Sequence, residues 1–144
     1  MKVKCIINKN ANVEPLVLPL DINEEMSDEN FVVTDLEASG SILGYDLTLG
    51  KEYLVYGILE YGLEKKFLIQ NDSNIPSFHS SKLFQIIDSN CDFEWATKTF
   101  LVNNKKLLIT SYYEILNYNN LIELIEKKPK AIRKFLDYKE SIFD

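Results

Sequence analysis

Apolar and polar residues alternate in short runs through most of this chain, and helical spacing shows only near its end. Alternation marks strands with one buried face, because successive side chains point to opposite sides. Residues 2–8 (KVKCIIN) therefore read as a first strand. Residues 15–20 (PLVLPL) carry Pro15 and Pro19, which confines them to an edge strand or an extended segment. Residues 31–38 (FVVTDLEA) form a short strand or a connection. The branched and aromatic stretch 51–61 (KEYLVYGILEY) is one strand, turned at Gly62 onto a partner, KKFLIQN (65–71). NDSNIP (71–76) is a turn cluster. SSKLFQIID (80–88) is a short strand opened by a helical turn. TKTFLV (97–102) and KLLITSYY (106–113) are two more strands around NNKK.

Near the end, Leu121, Ile122, Leu124 and Ile125 predict a helix with Asn119 or Asn120 as its N-cap. Pro129 suits a first helical turn, so a second helix starts there. Its Ile132, Phe135, Leu136, Lys139 and Ile142 trace a one-sided stripe. The fold class is α+β: a bent antiparallel sheet of about five strands with C-terminal helices, near 119–142, packed beside it. In its tightest form the sheet is an SH3-like small barrel over residues 46–115. The aromatics Tyr53, Tyr56, Tyr61, Phe67, Phe84, Trp95, Phe100, Tyr112 and Tyr113 lie on predicted strands and are expected in its core. At 144 residues the chain reads as a single domain. Its parts are an acidic N-terminal region with short strands (1–45), the antiparallel sheet (46–115) and the C-terminal helices (116–144).

Charge changes this picture. The chain has 22 acidic and 16 basic residues, a formal net charge of −6, which argues against a general nucleic-acid binder. From Asn10 to Gly50 there is no Lys or Arg. That stretch holds Glu14, Asp21, Glu24, Glu25, Asp28, Glu29, Asp35, Glu37 and Asp46, and five of these crowd into DINEEMSDEN (21–30). Charge runs are usually solvated faces, and that reading stays open. A patch without counter-charge also repels itself, and a basic protein partner would relieve it and be steered by its field. Glu24, Glu25, Asp28, Glu29, Asp35 and Glu37 are the expected partner contacts.

Other chemistry is thinly supported. As a calcium loop starting at Asp21, the segment offers Met26 where glycine is needed and Val32 where a bidentate Glu is needed, so the fit fails. No metal, cofactor or catalytic residue is expected. The single histidine, His79, has Ser77, Ser80 and Ser81 as neighbours, and a nucleophile would need it as base. A small enzyme or ligand-binding protein with its site around His79 is thus a second class of reading. A structural or regulatory subunit of a bacterial or phage complex is a third. Cys5 and Cys91 form no CxxC pair and are expected to be reduced, buried thiols. The first residues hold too short an apolar run for a signal segment, and no run is long enough to span a membrane, so the expected compartment is the cytoplasm.

GKEYLVYGI (50–58), FLIQNDSNIP (67–76), KLFQIID (82–88) and Trp95 together resemble a pattern in small bacterial immunity proteins of contact-dependent or polymorphic toxin systems. The resemblance covers about residues 46–95 and rests on strand and turn residues. It implies a cognate toxin domain that this chain binds and blocks, and it carries over no catalytic residue. Nuclease toxins are basic because they bind phosphate, so an acidic inhibitor suits one.

Overall fold

The computed structural model describes residues 1–7, 17–19, 31–33, 46–90 and 95–143. The strands are β1 (Lys2–Cys5), β2 (Val17–Pro19), β3 (Phe31–Val33), β4 (Glu52–Leu54), β5 (Gly57–Tyr61), β6 (Glu64–Gln70), β7 (Pro76–Ser80), β8 (Phe84–Asp88), β9 (Ala96–Val102) and β10 (Lys105–Ser111). Two helices follow, α1 (Tyr118–Ile125) and α2 (Pro129–Phe143). The fold is α+β. A five-stranded antiparallel sheet runs β7-β6-β5-β10-β9, a three-stranded one β4-β1-β8, and β2 pairs with β3.

Local chemistry explains the hairpins. Tyr61 pairs with Glu64 across a two-residue loop whose first member, Gly62, has φ +61°. Asn103 and Asn104 both take left-handed φ (51° and 62°) between Val102 and Lys105. Asn is among the few side chains that tolerate this conformation, and such turns match the twist of the strands they join. Lys105 and Lys106, which the pattern assigned to a four-residue turn, belong to β10 or its start.

The expected single strand 51–61 divides. Val55 N–H donates to the Met1 carbonyl at 3.0 Å, while Tyr56 N–H donates to Leu68 at 2.8 Å. The chain changes sheets between these two residues, and its burial pattern slips by one. Tyr53 and Val55 enter one core with Val3, Cys5, Phe67, Ile69, Leu83 and Phe84. Tyr56 and Leu59 enter the other with Leu68, Phe78, Leu107, Ile109 and both helices. The five-stranded sheet is therefore covered by helices on one face and, at its β6 end, by the three-stranded sheet on the other. The SH3-like closure does not form: β7 and β9 remain separate edges. β1, from the expected first strand, is the central strand of the smaller sheet.

Gly57 sits at the crossover. A Cβ there would lie 2.8 Å from Ser111 Oγ and 3.1 Å from its Cβ. Ser111 is fully buried and its Oγ donates to the Tyr56 carbonyl at 2.5 Å. Gly57→Ala should cost about 1–3 kcal/mol, as overpacking does, read as a lower urea midpoint at unchanged m. A variant as stable as the parent would mean that Ser111 gives way.

The helices depart from expectation in two details. Asn117 is the N-cap of α1, its Oδ1 accepting from Asn119 N–H (2.9 Å) and Asn120 N–H (3.2 Å). The two expected caps are donors instead. Among the residues of α2 whose burial is described, Ala131 and Phe135 are buried and Tyr138 packs against the same core, whereas Leu136 is 36% exposed; the side chain of Ile142 lies outside the described set. Lys127 adopts φ +59° after α1, and Lys128 N–H and Lys127 N–H bond back to Glu123 and Leu124, closing the helix end as a glycine usually does. Tyr113 leaves the expected aromatic core altogether at 86% exposure, and Trp95 is only partly buried, just before β9.

Candidate functional site

The acid-rich segment is tied to the fold at places the sequence did not mark. Cys5 N–H donates to the Lys51 carbonyl at 3.0 Å, and Gly50 N–H donates to the Cys5 carbonyl at 2.8 Å. The chain thus leaves the small sheet at Cys5 and rejoins it at Gly50. Between these points, β2 and β3 pair antiparallel, Leu18 is fully buried in the helix-side core, and β3 lies alongside α1. Residues 20–30, which include DINEEMSDEN, are the connection between β2 and β3. Glu24, Glu25, Asp28, Glu29, Asp35 and Glu37 themselves lie outside the described residues.

A polar clasp holds the returning end. Asp72 accepts from Thr48 Oγ1 (2.6 Å), Lys51 Nζ (2.8 Å) and Tyr53 OH (2.7 Å). Tyr53 OH also accepts from Thr48 N–H at 2.8 Å. Asp46, the last acid of the basic-free stretch, accepts from Ser73 Oγ through its side chain, and its carbonyl accepts from Asp72 N–H at 3.0 Å. Burial alone would raise the Asp72 carboxyl, but the hydrogen bonds from Lys51, Thr48 and Tyr53 outweigh it and hold the group below its usual range. Burial first, and then the Asp72 carboxylate, push the Tyr53 hydroxyl up to about 12. With its oxygens taken by three donors, Asp72 is an anchor for residues 46–53 and not a free base. In the sequence, NDSNIP carries the signature of a turn. That its Asp would meet Thr48, Lys51 and Tyr53 depends on pairing that no local pattern encodes.

His79 is an interior residue. It lies in β7, every residue of which is buried, and is itself 0% exposed. Ser77 Oγ is 2.7 Å from His79 Nε2. Lys66, opposite Ser80 in the sheet, is fully buried too. Its position in a KK pair opening a strand gave no hint of this. The imidazole is pushed down to about 3, first by burial and then by the positive charges of Lys127 and Lys66. The unfolded chain takes up that proton near pH 6.5, and the folded chain does so only far lower. The unfolded state therefore binds more protons in between, and stability falls as pH drops below about 6.5, by up to about 1.4 kcal/mol per pH unit. Urea unfolding of wild type and His79→Gln between pH 6.5 and 4.5 should show the flatter slope in the variant. Parallel slopes would mean that His79 titrates normally and is not interior.

Outside residues 10–50 the chain carries 16 basic and 13 acidic residues, so the acidic excess is confined to that stretch. Lys65, Lys105 and Lys106 line an open groove of about 600 Å³ at the hairpin ends, beside Glu60 and Glu64. Cys5 is a buried free thiol whose pKa burial raises, and its Sγ donates to the Ile7 carbonyl at 3.3 Å. Cys91 lies outside the described residues. Among the described residues no group of three His, Cys, Asp or Glu is placed to hold a metal ion, and no helix is long and apolar enough to cross a membrane. No family model, curated protein or solved structure matches the chain.

Proposed function

We propose that this protein is an immunity-type inhibitor that binds a cognate bacterial toxin domain, a basic nuclease by charge, through the acidic stretch 10–50, with Glu24, Glu25, Asp28 and Glu29 between β2 and β3 and Asp35 and Glu37 after β3. One observation carries the reading. The stretch 10–50, with nine carboxylates and no base, is tied to the fold at its described residues: Leu18 in the core, Asp46 and Thr48 bonded to Ser73 and Asp72, and Gly50 bonded to Cys5. Binding residues are favoured on connections that a rigid scaffold positions, and this one is fastened in that way. The complete burial of His79 weighs against a ligand or substrate site there, because its ring is reached only by opening the core. The inhibitor reading puts the protein's work in the cytoplasm, where Cys5 would stay reduced.

The test is co-expression. The toxin domain encoded beside this gene is induced with and without the protein. Survival and a stable complex with wild type are the expected results. Growth arrest despite full expression of the folded protein would sink the inhibitor reading.

A further inference from the structure

The five-stranded sheet has two unlike edges. β7 is buried along all five residues. β9 is seven residues long, pairs only with β10 among the described residues, and is exposed at five positions. An open edge offers unpaired N–H and C=O groups, which natural sheets blunt with Pro, a bulge, shortness or charge. β9 has no Pro and a single charge, Lys98, and its register with β10 runs unbroken from Ala96–Ser111 to Val102–Lys105. The edges of the three-stranded sheet are blunted: β4 has three residues, and β8 has five, with a register shift against β1 and Asp88 at its end.

We infer that β9 is a pairing edge whose occupant is the β9 of a second copy, antiparallel across a two-fold axis at Thr99. The strand is self-complementary in that register. Lys98 then faces the partner's Phe100, an aromatic, and not its own copy, so like charges are kept apart. Thr97 faces the partner's Leu101 on the open face, twice, which covers a leucine now 66% exposed. Charge also excludes the proposed toxin domain as the occupant. Lys98, Lys105 and Lys106 at this edge would repel the basic domain proposed above, so the edge and the acidic connection serve different contacts.

A single strand pair is at the small end of interface sizes, so the dimer should be weak and concentration-dependent. Sedimentation velocity of the full chain, from about 1 μM to about 1 mM, spans the affinities such an interface gives. Wild type should pass from monomer to dimer. Thr97→Lys with Leu101→Lys, and Thr97→Glu with Leu101→Glu, each set like charges opposite and should stay monomeric. An equimolar mixture of the two sets Lys against Glu and should dimerise. All these positions are exposed, and circular dichroism checks the fold. Thr99→Lys, at the axis itself, is the second variant and should raise the dissociation constant at least about tenfold. A wild type that is monomeric throughout overturns the inference and leaves the edge to another protein's strand. A dimer that survives all these variants overturns it too, by putting the interface elsewhere.

Discussion

Truncating Phe135 to alanine should cost about 3–5 kcal/mol, the range for removing a fully buried large aromatic. The ring is 0% exposed and sits edge-on to Tyr56, with centroids 5.0 Å apart and planes at 79°. It also meets Tyr112 at 6.4 Å, and Tyr112 stacks on Tyr138 at 4.1 Å. A hole there lies between the sheet and both helices, where rigid rings on two sides cannot close in. Single domains are stable by about 5–15 kcal/mol, so this one change removes a large share. Leu136, next in sequence and 36% exposed, is the control. Leu136→Ala should cost about 1 kcal/mol or less, as partly exposed positions do. Urea unfolding of both variants decides. Equal losses would mean that α2 is rotated from the orientation described.

The second large effect is on binding rate. On the proposed function, reversing Glu24, Glu25, Asp28 and Glu29 to Lys should slow association with the proposed basic partner by about 10- to 1,000-fold at low salt, the span that electrostatic steering covers. The salt dependence should flatten, because exposed charges interact over the Debye length, about 8 Å at physiological ionic strength. Circular dichroism and urea unfolding of the variant check that the fold is retained. Association rates are measured against ionic strength for both proteins, using the domain encoded alongside. Equal rates with equal salt slopes would make the segment a solvated run and move the interface elsewhere. This measurement is separate from the edge-pairing test, which needs no toxin.

Much of the local structure was legible. The hairpin signals Gly62 and Asn103–Asn104 lie at real turns, Pro129 opens α2, and a helical turn at Ser81–Leu83 precedes β8. Errors arose where a local rule met a tertiary demand. Asn119 and Asn120 are good caps, but the extended backbone at Asn117 lets its side chain reach both of their N–H groups. Leu136 fits the apolar stripe as well as Phe135 does, yet α2 presents Ala131, Phe135 and Tyr138 to the sheet. Tyr113 has strand propensity, but it follows the last paired residue of β10 and begins a 3-10 turn.

By itself the sequence determined the strand-rich body, the two C-terminal helices, the hairpin turns and the separation of acid from base along the chain. These follow from side-chain periodicity, turn conformations and charge, all set within a few residues. Only the tertiary structure decided that residues 51–61 serve two sheets, that β1 is a central strand, and that His79 and Lys66 are interior. It also decided that Asp72 fastens Thr48, Lys51 and Tyr53, and that residues 20–30 connect a ribbon anchored by Leu18. Each of these depends on which distant strand pairs with which. A period-two pattern says that a strand has a buried face, but which partner covers that face is chosen by packing of the whole chain.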